Sequence, residues 1–117
     1  MSVDGKPPRP PRARRTTADR LRAALIELCD HRGQVLSHSE KPWASITFAG
    51  ARHRIDLLFA GEEAVEAGEN LIAELPDHEF TIPGQLVADA AICEVDHRIG
   101  ANPRLSVTCE LLLLEEG

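Results

Sequence analysis

Five histidines and three cysteines in a chain of 117 residues are the side chains best suited to metal, redox or acid–base chemistry. Cys93, Val95 and His97 alternate in an extended stretch and are expected on one face of a strand. The strand rise then separates Cys93 from His97 by about 13 Å. Zinc holds its ligands at about 2.0–2.3 Å, so these two do not share a metal, and no metal site is expected. Cys93 and Cys109 fall opposite or diagonal to each other if the last two strands pair about residues 101–102. That placement suits a redox-sensitive pair or two metal ligands, but small cysteines on a core face usually pack, and packing is the preferred reading. Cys29 lies near a helix C-terminus, where the dipole disfavours a thiolate.

Asp77-His78-Glu79 and Asp96-His97-Arg98 resemble fragments of a catalytic dyad. Neighbouring side chains of a strand point to opposite faces, so Asp96 does not orient His97. Asp77 and His78 share a loop, yet no G-x-S-x-G nucleophile turn accompanies them. Neither G-x-x-x-x-G-K-[ST] nor G-x-G-x-x-G occurs, so no phosphate-binding loop is read. Arg52-His53-Arg54 is a short basic cluster able to hold a phosphate or an acidic partner; the more ordinary reading is the solvated side of an edge hairpin. No catalytic residue and no cofactor is nominated.

The elements that would position these residues are legible from periodicity. Thr16-Thr17-Ala18-Asp19 starts a helix with a hydroxyl cap and an acid in its first turn. Leu21, Leu25 and Leu28 give it one apolar stripe, and His31-Arg32-Gly33 closes it with an αL glycine. Val35 and Leu36 begin extended chain. Pro42 marks a bend or an edge, Ala44, Ile46 and Phe48 alternate with polar residues, and Ala49-Gly50-Ala51 is the expected turn. Ile55, Leu57 and Phe59 line a second strand. Residues 62–75 form a second helix, with Ala64, Val65, Gly68, Leu71, Ile72 and Leu75 inward and Glu62, Glu63, Glu66, Glu69 and Glu74 outward; Pro76 ends it. A long strand from Gln85 to Ile99 turns at Gly100-Ala101-Asn102-Pro103 and returns through Leu105–Leu114. The order α-β-β-α-β-β specifies an α+β fold, a four-stranded, mainly antiparallel sheet with two helices on one face.

The net charge of −6 divides into +4 on residues 1–16 and −10 on the remainder. Residues 1–16 hold four prolines and are expected to be a disordered basic Pro/Arg-rich tail, followed by a single domain over 17–117. Arg9, Arg12, Arg14 and Arg15 could neutralise nucleic-acid phosphates. The acidic body would repel the same backbone, and few aromatic residues remain for base stacking, so nucleic acid is not the favoured partner. Without an apolar leader or a membrane-length apolar run, a cytoplasmic protein with reduced thiols is expected. Trp43 before a strand suits a partner contact, but capping one end of the core is the preferred reading. Leu112 and Leu114 oppose Leu111 and Leu113, so the last strand is apolar on both faces and calls for a second layer, such as another copy in a homodimer.

Pro42-Trp43-Ala44-Ser45-Ile46-Thr47-Phe48, Ala51-Arg52-His53-Arg54-Ile55, Leu75 to Phe80 and Ile82 to Ala90 together resemble a family of small proteins from high-GC bacteria. The resemblance spans residues of about 34 to 116. It implies no activity and transfers no functional residue. The preferred reading is therefore a non-enzymatic protein-interaction or assembly module, with Trp43, Arg52, Arg54, Leu112 and Leu114 as partner-binding candidates. Its rivals are a small enzyme or ligand-binding domain using His53, His78 or His97 with Asp56, Asp77 or Glu79, and a nucleic-acid accessory protein acting through the tail.

Overall fold

The computed structural model describes residues 15–116. Residues 1–14 of the basic segment expected to be a tail, with Arg9, Arg12 and Arg14, lie outside the described residues. Helix α1 (Thr17–Leu28) opens on a complete capping box: the Asp19 backbone N–H donates to the Thr16 hydroxyl, and the Asp19 carboxylate accepts from the Thr16 backbone N–H. Its exit differs from the expected glycine cap. Asp30 and His31, with φ of 54° and 59°, make the left-handed turn instead of Gly33. Strands β1 (Gln34–Ala44) and β2 (Ala49–Ala60), helix α2 (Glu62–Glu74) with a 3-10 turn at Leu75–Asp77, and strands β3 (Gln85–Arg98) and β4 (Arg104–Glu115) follow.

The four strands form one antiparallel sheet in the order β1-β2-β4-β3. The two αββ halves therefore meet through their second strands, leaving β1 and β3 at the edges. Ile55, Leu57 and Phe59 of β2, and Leu105, Val107, Cys109, Leu111 and Leu113 of β4, form one buried face beneath Leu21 and Leu25 of α1 and Ala64, Val65, Ala67 and Leu71 of α2. This is the expected α+β layering. Gly68 lets α2 approach closely: a Cβ there would lie 2.6 Å from a Leu105 methyl and 2.7 Å from the Phe59 ring.

Three details of the strands depart from the sequence reading. The first turn is at Ser45–Phe48, not Ala49–Ala51: the Ser45 hydroxyl accepts from the Thr47 and Phe48 backbone N–H groups, folding the chain there. Gly50 lies within β2, where a Cβ would come within 2.0 Å of the Leu113 carbonyl oxygen. Bulges at Leu36, Ala88 and Cys93 then break the simple alternation of the two edge strands.

Candidate functional site

The bulge at Leu36 decides which β1 side chains face the helices. It puts His38 opposite Ile55 and Glu40 opposite His53, all on the helix-bearing face of the sheet. The Arg52-His53-Arg54 cluster is therefore split across the sheet: Arg52 and the exposed Arg54 lie on the helix-free face, whereas His53 is 1% exposed on the helix-bearing face.

A buried imidazole needs partners for its nitrogens, and His53 obtains one across the sheet. His38 Nε2 and His53 Nδ1 are 2.8 Å apart, with the rings tilted by 56°. From α1, Arg22 Nη1 reaches His38 Nδ1 at 2.7 Å, while Arg22 Nη2 donates to the Asp19 carboxylate. The capping box of α1 is thus the first link of a chain running Thr16–Asp19–Arg22–His38–His53. A guanidinium only donates, so His38 Nδ1 is an acceptor and its neutral ring carries the proton on Nε2. His38 therefore donates to His53 Nδ1, and neutral His53 carries its proton on its own Nε2. That nitrogen lies 4.0 Å from the Glu40 carboxylate. It borders an open cleft of about 340 Å³ lined also by Thr17, Gln85 and Glu115.

Burial is the main cause that holds both imidazoles below the usual 6.5; for His38, the interactions with His53 and then Arg22 lower it further. For His53 desolvation leads, opposed by Glu40. The pair is accordingly a neutral hydrogen-bonded unit at neutral pH. The other sequence candidates do not join it. His78 packs edge-on against Phe80 with centroids 4.5 Å apart, and His97 is exposed near the end of β3. Asp56 faces the opposite side of the sheet and accepts from Ser37 and Thr108, bonds that hold its carboxyl below the usual range. Asp77 and Glu79 are exposed in the segment after α2.

The cysteines also separate. The bulge places Cys93 on the helix-free face, away from the side shared by Val95 and His97, and its thiol donates to Glu110 at 3.1 Å. That bond pushes the Cys93 thiol up. Cys109 pairs with Ile92 and is buried, its thiol pushed up to about 12 by desolvation. All three cysteines are free. Among the described residues, no group of three or more His, Cys, Asp or Glu side chains is placed to hold a metal.

The helix-free face gathers the other residues singled out in the sequence. Trp43, Gly50, Leu114 and Leu86 form one row across the sheet, and Lys41, Arg52, Leu112 and Asp89 the next. Arg54 lies one row further, 3.7 Å from Glu94 and 3.6 Å from Glu110. Trp43 and Leu112 are half-buried, Leu114 is buried, and Leu86 is 51% exposed. At the adjoining hairpin turn Ile46 is fully exposed and Phe48 is 48% exposed. Arg15, ahead of α1, is exposed.

No family model and no curated protein sequence matches the chain. Among solved structures, a chain from the virion of a native gene transfer agent (GTA) particle has a similar fold, with a TM-score of 0.58. The two are 12% identical, over 84% of this chain and 91% of that chain. No described helix is long and apolar enough to cross a membrane.

Proposed function

We propose that this protein is a non-enzymatic assembly subunit that self-associates through the hairpin end of its helix-free sheet face. The observation that carries this reading is the contrast within that face. Towards the middle, Arg54, Glu94, Glu110, Cys93, Asp56, Ser37 and Thr108 satisfy one another. At the hairpin end, Trp43, Leu86 and Leu112 keep apolar surface beside exposed Ile46 and Phe48. Several exposed apolar side chains gathered towards one end of a face suit contacts with other chains, and Arg52 in the adjacent row offers a polar rim. The edges are less suited to the task, because bulges interrupt both and Pro42 removes a donor from β1. A related fold inside a virion particle, which is itself a protein assembly, fits the same reading.

The test is sedimentation velocity of the full-length chain over a micromolar concentration series, with the emission of the single tryptophan recorded in parallel. Self-association accompanied by a blue shift of Trp43 supports the assignment, and Leu86→Ser with Ile46→Ser should weaken both. A chain that stays monomeric with unchanged emission would overturn it.

A second reading, a ligand-binding domain, is favoured by the cleft beside His53, whose Nε2–H has its nearest carboxylate at 4.0 Å. Saturable shifts of the His53 ring resonances on adding a small molecule would support that reading.

A further inference from the structure

We infer that the Arg22–His38–His53 chain is an acid-labile latch that holds α1 against the sheet. This goes beyond the assembly reading and does not depend on it. The geometry leaves the latch one proton arrangement. Arg22 Nη1 donates to His38 Nδ1 at 2.7 Å, and His38 Nε2 then donates to His53 Nδ1 at 2.8 Å. A further proton on His38 would sit on Nδ1, facing the guanidinium. A further proton on His53 would sit on Nδ1, facing the His38 Nε2–H. Either way two donors meet at hydrogen-bond distance, and one link must open.

The groups around the pair do not remove this conflict. From α1 come Arg22 and Asp19, and Asp19 is already engaged by Arg22 and the Thr16 backbone. From β1 comes Glu40, 4.0 Å from His53 Nε2 on the side away from His38. Gln85 and Glu115, at the ends of β3 and β4, line the cleft with Glu40. Glu40 favours a protonated His53, but it cannot accept the proton added at Nδ1.

Both imidazoles titrate below 6.5 in the folded chain and near 6.5 when released. Between those limits the released state binds more protons, so stability falls as pH falls. The contribution of the latch is complete above about 6.5 and is lost progressively as pH drops towards the depressed folded values. The carboxylates Asp19 and Asp56 act in a separate window, because their pKa values are lowered from 3.8 and their contributions fade only below that value. Opening α1 would uncover Leu21 and Leu25, both 0% exposed.

Two measurements on the full-length chain test the latch. Long-range 1H–15N correlation spectra of the histidine rings at about pH 7.5 should show His38 and His53 both as Nε2–H tautomers. A Nδ1–H tautomer on either ring would overturn the proposal without any variant. Hydrogen exchange, corrected for intrinsic rates, should show α1 amides losing protection from about pH 6.5 to about pH 5.5, by up to roughly tenfold per proton taken up over one pH unit. The α2 amides should keep their protection over the same range. Equal loss in both helices would mean global unfolding and would overturn a latch local to α1. Arg22→Met, which frees His38 Nδ1 for a proton, should raise the apparent pKa of the pair; an unchanged value would overturn the role assigned to Arg22.

Discussion

Two helices lie on the same face of one sheet, and they are held there by different physics. Helix α2 is seated by small residues: Ala64, Ala67 and Gly68 are buried, and the close approach at Gly68 brings its backbone against Leu105 and Phe59. Its charged residues, Glu62, Glu63, Glu66, Glu69 and Glu74, are exposed. Helix α1 buries two leucines fully, Leu21 and Leu25, and adds directional polar links through Arg22 to His38. Close apolar packing is indifferent to pH near neutrality, whereas a hydrogen-bonded imidazole chain is not. One face of the sheet thus carries one permanently seated helix and one whose seating depends on a proton count.

The comparison can be broken most severely at Gly68. Gly68→Val should destabilise the protein by about 3 kcal/mol or more, since the added carbons overlap Phe59 and Leu105. Urea unfolding would measure it, and a neutral result would remove the close seating of α2. Leu25→Ala should cost about 3 kcal/mol through cavity formation, with the wild-type pH dependence retained because the imidazole chain is untouched. Arg22→Met should cost about 1 kcal/mol near neutral pH, a single charge-assisted hydrogen bond discounted for the partial exposure of its side chain. Unlike Leu25→Ala, it should flatten the loss of stability between neutral pH and about pH 5.5. The smallest effect is expected at the exposed Arg32–Glu63 ion pair, which links the segment after α1 to α2. Glu63→Gln should change stability by less than about 0.5 kcal/mol and should lose even that effect in high salt.

The same contrast separates what the sequence discloses from what it conceals. Helix α2 is legible because its apolar and glutamate stripes follow one helical period, and α1 because Thr16 and Asp19 spell a capping box. The β4 face is legible because Leu105, Val107, Cys109, Leu111 and Leu113 alternate without a break. His38 is not legible. Counted from Val35 by simple alternation it falls on the helix-free face, and only the bulge at Leu36 turns it towards His53. The bulge at Cys93 misleads in the same way by sending that thiol away from Val95 and His97. Gly50 looks like a turn residue, but its requirement is the nearby Leu113 carbonyl, a long-range neighbour that local propensity does not encode. The polar chain therefore depends on one strand irregularity, the bulge at Leu36, which carries no motif.

The central seam between β2 and β4 also orders the events of folding. Each hairpin closes locally, on a timescale of microseconds, but Ile55 and Cys109 are 54 residues apart and must meet before the core is sealed. Closing a loop of that size carries an entropic penalty that grows with the logarithm of its length. Registering the two αββ halves along this seam is therefore the expected slow step, and substitutions along the seam should change the folding rate more than those in the outer strands, which stopped-flow refolding would measure.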